Sequence, residues 1–415
     1  MRQNMRSLYI LTSCCGDFHH ELKVRVRTIP GRLLAFAVLL FMMMNLTPCL
    51  AGESNEESCR KVVDASVLPL MKKHGIPGMS VGITVGGKSY IFNYGVASRS
   101  TKKSITDHSI FEIGSISKTM TATLASLALI EGKFSLADKV SVFLPALSGT
   151  EFGDLTLLNL GTHTSGGLPL QLPEFVTTNE KLMQYLQSWK PKHKPGTVRN
   201  YANPGIGMLG YITAKVLKQS FDELMPTALF KPLGMKESYL QIPDSASEFY
   251  AQGYTEKDVP VRMKKAVLAS EAYGVRTTAS DLLHFLRCNM GDGLADGNLR
   301  RAIESTHTGY FKARAMTQDL IWEQYPLPVS EKDLLDGSSH AMIFESPTVT
   351  KIIPPEKPRT DVWIHKTGST AGFAAYAAFI PREKLGLVLL ANKTYPIEDR
   401  ILAARAIFKS LGGNF

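Results

Sequence analysis

The first regular pattern along the chain is helical: apolar residues over Glu56–His74 recur at intervals of three and four positions. Gly75–Gly78 (Gly-Ile-Pro-Gly) ends this predicted helix. Two runs typical of β-strands follow, Met79–Val85 and Ser89–Tyr94. Because Gly86-Gly87 lies between them, the pattern predicts a hairpin.

The same two patterns return near the other end of the chain. Ala374–Ile380 and Leu385–Ala391 predict a second hairpin around Pro381–Lys384, and Arg400–Leu411 predicts a closing helix. Between about Leu136 and Met235 the pattern is one of short helices and loops. The predicted helices there are Asn179–Trp189, Pro204–Leu217 and Phe221–Leu229.

This order predicts an α/β (α+β) layer fold, in which an antiparallel sheet is flanked by the N- and C-terminal helices. A mostly helical domain, residues 134–265, is predicted to interrupt it. Residues 52–133 and 266–415 would then form one discontinuous α/β domain.

Composition narrows the class of protein. The chain has 415 residues, of which 44% are apolar and 20% charged, as in ordinary globular proteins, so disordered and collagen-like chains are excluded. The net charge of +10 is not gathered into basic blocks. We therefore expect a solvated basic surface and no nucleic-acid partner.

A short apolar segment near the start predicts export. Leu33–Met44 is a run of twelve apolar residues, too short to span a bilayer comfortably and of the length found in signal peptides. Cys49 and Ala51 fit the small residues that precede a cleavage site. Residues 1–51 are thus predicted to be a signal peptide with a long n-region, unless translation starts near Val26. The mature protein is expected in the periplasm, without a membrane anchor.

Cysteine and histidine usage gives no sign of a metal or cofactor. Outside the predicted signal peptide only Cys59 and Cys288 remain, and we expect buried thiols rather than a disulfide. The ten histidines are scattered without the spacing of metal ligands. No cofactor and no metal are expected.

Three short motifs, far apart in the chain, carry the candidate chemistry. They are Ser115–Lys118 (Ser-Ile-Ser-Lys), Tyr201–Asn203 (Tyr-Ala-Asn) and Lys366–Gly368 (Lys-Thr-Gly). A serine and a lysine three apart share one face of a helix, so the amine can take the proton of the hydroxyl. The Ser-x-x-Lys pattern alone proves little, because it also occurs at Ser58–Lys61 and Ser100–Lys103.

The residue types around these motifs suggest distinct roles. Ser115 is predicted near a helix start, where free N–H groups can hold an oxyanion. Two nearby ammonium groups, Lys118 and Lys366, would lower the pKa of the Tyr201 phenol. Asn203 offers a donor and an acceptor to an amide substrate.

The segment around Lys366 is predicted to be an edge strand. Gly368 would let a substrate approach the backbone, and the N–H of Ser369 would be the second oxyanion donor. His365 alternates to the other face and is expected to be structural.

Two other forms of serine chemistry fit less well. The Gly114-Ser115 pair lacks the second glycine of a nucleophile elbow. Nothing in the sequence indicates the histidine and aspartate of a chymotrypsin-like triad.

These motifs resemble the penicilloyl-serine enzymes, and specifically the class C (AmpC-type) β-lactamases. Class A enzymes carry Ser-Asp-Asn as the middle motif, which this chain lacks, whereas Tyr-Ala-Asn fits class C. The similarity extends over about residue 52 to the C-terminus. The segments that carry it are Thr162–Gln171, Arg199–Gly207, Glu271–Arg276 and Gly386–Lys393.

The resemblance implies hydrolysis of β-lactams, with cephalosporins preferred, through an acyl-enzyme on Ser115. Lys118 and Tyr201 would share the acid–base work, with Lys366 as the fourth catalytic residue. The remaining residues would bind substrate. Gln171, Asn203 and Tyr254 would contact the acylamido side chain, Gly368 and Ser369 would line the reacting carbonyl, and Thr367 and Arg400, with Lys366, would lie near the carboxylate.

One position departs from the family. Many class C enzymes carry asparagine where this chain has Ile397, and an apolar side chain there cannot hydrogen-bond the carboxylate. We expect less reliance on that contact and altered sensitivity to inhibitors.

Alternatives remain open at this stage. A D,D-peptidase or a class C-like esterase can share the three motifs and differs in how fast the acyl group leaves. A lactam sensor that stays acylated would need a genuine membrane span. The partner expected for this chain is a small-molecule β-lactam, and the protein is expected to be a monomer.

Overall fold

The computed structural model describes residues 56–293 and 297–413. The predicted signal peptide lies outside the described residues. Within the described ranges, no helix is both long and apolar enough to cross a bilayer.

The helices and strands of the described residues are numbered in chain order. The α-helices are α1 Glu56–His74, α2 Ser117–Ile130, α3 Val140–Phe143, α4 Leu157–Gly161, α5 Asn179–Ser188, α6 Asn203–Val216, α7 Phe221–Met225, α8 Ala269–Tyr273, α9 Ala279–Asn289, α10 Asn298–Ser305, α11 Glu331–Gly337, α12 His340–Phe344 and α13 Ile397–Ser410. The strands are β1 Gly78–Val85, β2 Lys88–Gly95, β3 Phe111–Glu112, β4 Gly253–Tyr254, β5 Pro260–Val261, β6 Arg276–Thr277, β7 Gly309–Ala313, β8 Met316–Gln318, β9 Glu323–Pro326, β10 Thr350–Glu356, β11 Val362–Ser369, β12 Ala374–Ile380 and β13 Leu385–Ala391.

A large antiparallel sheet joins the two ends of the chain. In the part of the chain that is described, nine strands form it in the order β10-β7-β8-β9-β11-β12-β13-β1-β2. Both predicted hairpins are confirmed, β1–β2 across Gly86-Gly87 and β12–β13 around Pro381–Lys384. Strand β13 pairs with β1, so that Ala391 lies opposite Met79 and the two hairpins form one surface.

The sheet is covered by helices on both faces, as the alternation of its side chains requires. Leu387 and Leu389 of β13 lie in the same core cluster as α1 and α13. Val388 and Leu390, one position away, lie in the cluster that contains residues of α9 and α2. Helices from both chain ends thus cover one face, and the predicted α/β layer fold is confirmed.

The two cysteines of the described part are buried in different clusters. Cys59 packs with α1 and α13, and Cys288 packs on the opposite face of the sheet. No disulfide joins them.

The middle of the chain is mostly helical, and its apolar side chains share a core cluster with residues of α2 and α8. Predicted helices appear there as α5, α6 and α7, and a π-helical turn, Pro226–Phe230, follows α7. The division of the chain at residues 133 and 265 stays a prediction.

The prediction of an edge strand around Lys366 is wrong. Strand β11 lies inside the sheet between β9 and β12. Strand β9 pairs only with Val362–His365, which leaves one edge of Lys366–Ser369 without a partner strand. The sequence could not show this, because the four residues of β9 (Glu-Gln-Tyr-Pro) do not resemble a strand.

Candidate active site

Ser115 lies in a 3₁₀ turn, Gly114–Ile116, that leads directly into α2. Helix α2 packs against α6, α8 and α10 and is buried over most of its length. Lys118, one turn later, is fully buried, and its Nζ donates to Ser115 Oγ at 2.8 Å and to the carbonyl oxygen of Ala272 at 2.8 Å. The first predicted pair is therefore in contact.

Two glycines bring the serine turn against the end of β11. Gly114 has a φ of +51°, and a Cβ atom there would lie 2.5 Å from the carbonyl oxygen of Ser369 and 2.6 Å from its nitrogen. A Cβ atom on Gly368 would collide with the carbonyl oxygen of Ile113. The backbones of the turn and the strand touch, so the nitrogen of Ser369 lies beside the serine turn, and its role as an oxyanion donor stays a prediction.

Tyr201 lies in the loop before α6, surrounded by positive charge. The centroid of its ring is 5.3 Å from Lys118 Nζ, 5.1 Å from Lys366 Nζ and 5.3 Å from the guanidinium carbon of Arg199. Burial acts to raise the pKa of Tyr201, but the charges of Lys118 and Lys366 and a hydrogen bond with Ser115 outweigh it, so the pKa is lowered. The second and third motifs therefore meet the first at this phenol.

Lys118 is poised to exchange a proton near neutral pH. Burial lowers the pKa of Lys118 to about 8, against the opposing influence of Tyr201. The amine and the phenol lie in one site and influence each other, so the proton belongs to the pair rather than to either group.

A buried ion-pair network behind Tyr201 was not predicted. Glu323, at the start of β9, accepts from Arg199 Nη2 at 2.7 Å and lies 3.4 Å from Lys366 Nζ. Burial would raise the pKa of Glu323, but Lys366, His365 and Arg199 hold it far below its usual range. Arg199 begins a segment that carried the family resemblance, whereas no sequence pattern marked Glu323.

His163 was also missed by sequence reasoning. Its ring centroid lies 4.4 Å from that of Tyr201, and its Nδ1 accepts from the N–H of Ala202 at 3.3 Å. Burial, followed by the charges of Arg199 and the two lysines, lowers the pKa of His163 well below its ordinary value. It is a neutral ring that packs against the phenol.

Asn203 and Gln171 line one pocket, and their contact with an acylamido group stays a prediction. Asn203 starts α6, and its buried side-chain oxygen has no hydrogen-bond partner in the described part of the chain, while Gln171 is exposed. The pocket has a volume of about 250 Å³ and is also lined by Tyr273. Tyr273 lies in Glu271–Arg276, a segment that pointed to the family without singling out this residue.

The structure does not bring Tyr254 to this pocket. Its hydroxyl accepts from the backbone N–H of Arg99 at 2.8 Å, and its ring lies 5.0 Å from the Arg99 guanidinium carbon. The short pairing of β4 with β5 buries the side chain. Tyr273, and not Tyr254, lines this pocket, and the binding role expected of Tyr254 stays a prediction.

Arg400 is fully buried behind β11, on the first turn of α13. Its Nη1 donates to the carbonyl oxygen of Gly368 at 2.8 Å and to Ser369 Oγ at 2.9 Å. Thr367 is half-buried and Ser369 exposed on the strand end that these bonds hold. The structure thus gives Arg400 contacts with the strand end, and its position near a substrate carboxylate stays a prediction.

Comparisons with known proteins agree with this geometry. A model of the family described as Beta-lactamase matches residues 63–411. A β-lactamase of Lysobacter lactamgenus is 45% identical over 385 residues, which cover 92% of this chain and 99% of the relative.

Two solved structures have the same fold. A class C β-lactamase in complex with cefoxitin superposes with a TM-score of 0.83 at 47% identity, covering 86% of this chain and 99% of the other. D-alanine carboxypeptidase AmpC from Burkholderia cenocepacia gives 0.83 at 49% identity, covering 86% and 100%. The chain therefore belongs to the β-lactamase family, and within it to the class C serine β-lactamases.

Proposed function

We propose that Ser115 is the nucleophile with which this β-lactam hydrolase forms its acyl-enzyme. The observation that carries this role is the 2.8 Å contact between Lys118 Nζ and Ser115 Oγ, beside a phenol whose pKa is lowered. A serine hydroxyl needs such a base before it can attack a carbonyl.

In the proposed reaction Ser115 Oγ attacks the lactam carbonyl carbon, and the carbon–nitrogen bond of the ring breaks. The serine proton passes through Lys118 and Tyr201 to the ring nitrogen, which leaves as an amine. Water then adds to the ester carbonyl carbon and gives up a proton to the same pair. The bond between that carbon and Ser115 Oγ breaks, the proton returns to Ser115 Oγ, and the product acid leaves. The backbone N–H groups of Ser115 and Ser369 would hold the oxyanion in both steps, because they point donors at the developing charge.

The substrate would lie along β11. Gln171 and Asn203 would bind its acylamido group, supported by the unpartnered side-chain oxygen of Asn203. Lys366 and Thr367 would bind its carboxylate, and Arg400 would fix the position of Ser369. Cephalosporins are the proposed preferred substrates; the relative solved with cefoxitin bound supports this class.

A second candidate activity is the removal of D-alanine from peptides. Two solved relatives carry that description, one from Burkholderia cenocepacia and one, named both β-lactamase and D-alanine carboxypeptidase, from Pseudomonas syringae. Both activities use an acyl-serine, so they differ in the leaving group and in the rate of deacylation.

The test is steady turnover of nitrocefin by the purified protein, compared with release of D-alanine from a peptide that ends in D-Ala-D-Ala. Many turnovers per site, absent in Ser115→Ala, are expected for a lactamase. A single burst without further turnover would contradict the proposal. Mass spectrometry with a slow β-lactam should find the adduct on a peptide containing Ser115.

We further propose that the protein is exported to the periplasm and acts there as a monomer without a membrane anchor. The apolar run Leu33–Met44 supports cleavage before Gly52. N-terminal sequencing of the protein recovered from the periplasm tests this, and a retained segment 33–44 would contradict it.

A further inference from the structure

A carboxylate is buried behind the proposed catalytic tyrosine. Glu323 is 4% exposed. Its Oε1 lies 2.7 Å from Arg199 Nη2 and 3.4 Å from Lys366 Nζ, and its Oε2 lies 3.5 Å from His365 Nε2. One carboxyl group thus contacts a residue of the tyrosine loop and two residues of β11.

Arg199 is held from its other sides as well. Its Nε donates to Gln318 Oε1 at 2.8 Å, and its Nη1 donates to the carbonyl oxygen of Met342. The guanidinium therefore has little freedom, and the Glu323 carboxylate is fixed by a partner that cannot move away. The chain of contacts runs from β8 through Arg199 and Glu323 to Lys366.

The charges around Tyr201 need a counter-charge. Lys118, Arg199 and Lys366 each come within about 5.3 Å of the centroid of its ring, and all three side chains are buried. Burying a cation without a partner is costly, and like charges repel strongly at low dielectric. Glu323 supplies negative charge to two of the three.

We propose that Glu323, anchored by Arg199, is a positioning residue that fixes the Lys366 ammonium beside the Tyr201 phenol and sets the balance of charge that the phenol experiences. Losing its negative charge would favour the phenolate, while losing Arg199 would disfavour it. The inference rests on the proposed role of Tyr201 in proton transfer.

Other titratable groups face the same site and are left unchanged in the two test variants. Those around Tyr201 or Glu323 are Ser115 and Lys118 from the serine turn and α2, His163 from the preceding loop, His365 from β11, Tyr325 from β9 and Asp319 from the β8–β9 turn.

The test is the pH dependence of kcat/KM for nitrocefin in the full chain and its Glu323→Gln and Arg199→Gln variants. The acidic limb reports the coupled deprotonation of Lys118 and Tyr201. We expect it to move to lower pH in Glu323→Gln and to higher pH in Arg199→Gln. We also expect kcat/KM to fall by up to about 100-fold, as misplacement of a binding group by about 1 Å can cause.

The matched control is Asp319→Asn, the same carboxyl-to-amide change four residues away. Asp319 is buried, and among the described residues no hydrogen-bond partner contacts its carboxyl oxygens, so the acidic midpoint of kcat/KM in this variant should equal that of the wild type. Two results would overturn the proposal. One is a loss of activity in both test variants with an unchanged acidic midpoint of kcat/KM, and the other is a shift of both acidic midpoints in the same direction. Circular dichroism checks folding, and if Glu323→Gln does not fold, the direction of the Arg199→Gln shift decides.

Failure of the proposed function would look different. In that case the wild type would not turn nitrocefin over, or Ser115→Ala would do so equally well. If turnover depends on Ser115 but the acidic midpoints of Glu323→Gln and Arg199→Gln equal that of the wild type, only the role of Glu323 is rejected.

Discussion

Lys118 Nζ lies 2.8 Å from Ser115 Oγ and 2.8 Å from the carbonyl oxygen of Ala272, so the helix and the neighbouring α8 aim one amine at the serine. With a pKa of about 8, an appreciable fraction of this lysine is neutral at pH 8 and able to accept a proton. An arginine keeps the charge but does not deprotonate in proteins. We therefore expect Lys118→Arg to slow acylation by about 10²- to 10⁴-fold.

Mass spectrometry of adduct formation with a slow β-lactam measures this rate. Lys61→Arg is the control, because Lys61 belongs to another Ser-x-x-Lys pattern, on α1, where its exposed side chain pairs with Glu57. That variant should acylate like the wild type. Equal rates in all three proteins would show that Lys118 is not the base.

The close approach of the serine turn to β11 predicts a large effect of one methyl group. Gly114→Ala adds a Cβ atom 2.5 Å from the carbonyl oxygen of Ser369, whereas Gly132→Ala adds one with nothing within 4 Å. Both glycines have positive φ, +51° and +69°. Backbone strain should therefore lower the free energy of unfolding of both variants by about 1–2 kcal/mol. Only Gly114→Ala should also lose nitrocefin turnover.

Urea unfolding and turnover, measured on both variants, separate strain from collision. If Gly114→Ala retained wild-type kcat, the contact between the turn and the strand would not matter for the reaction.

The hairpins and the terminal helices could be predicted because each depends on neighbouring residues. Gly86-Gly87 and the alternation of Leu385–Ala391 are local signals, and α1 agrees with its prediction at both ends. Helix α13 begins at Ile397, three residues before the predicted start at Arg400. The prediction missed this first turn because Glu398 and Asp399 are polar and interrupt the apolar pattern.

The site was predicted only in part, for a physical reason. Ser115 and Lys118 are three residues apart, and helical geometry relates them. Glu323 is 124 residues from Arg199 and 43 from Lys366, so their contact depends on how β9 pairs with β11. The sequence could not show which of Tyr254 and Tyr273 lines the pocket of Gln171 and Asn203, because the contacts of Tyr254, such as its hydrogen bond with Arg99 across 155 residues, are tertiary.

The two tyrosines give opposite predictions for substrate preference. Tyr273 lines the pocket that contains Gln171 and Asn203, so Tyr273→Ala should raise KM for lactams with large acylamido groups. Loss of one buried aromatic contact corresponds to roughly 0.5–1.5 kcal/mol, or about 2- to 12-fold in KM. Tyr254→Phe removes only the bond with Arg99 and should leave KM unchanged. A rise in KM for Tyr254→Phe alone would restore the original prediction.

Ile397 begins α13, one turn before the arginine that holds Ser369. Its side chain is partly buried and packs against the core cluster of α1 and α13. Ile397→Asn would add an amide that can hydrogen-bond a lactam carboxylate, and one such bond contributes about 0.5–1.5 kcal/mol.

We expect KM and Ki for carboxylate-bearing lactams to fall by about 2- to 12-fold in Ile397→Asn. Ile397→Val, which stays apolar, should match the wild type. Unchanged kinetics and inhibition in Ile397→Asn would show that this position does not reach the carboxylate.

Asp319 makes the stability of the fold depend on pH. Burial, reinforced by Glu356, raises the pKa of Asp319 well above its usual value, while in the unfolded chain it is about 3.9. The native state therefore keeps a proton that the unfolded state loses above about pH 4, and stability falls as pH rises from there toward the native pKa. Asparagine has no such proton, so Asp319→Asn should gain stability over the wild type by up to about 1.4 kcal/mol per pH unit in that window. Urea unfolding at pH 4 and pH 7 measures the slope. A difference in stability between Asp319→Asn and the wild type that is the same at both pH values would mean that the Asp319 carboxyl group is ionised in the fold.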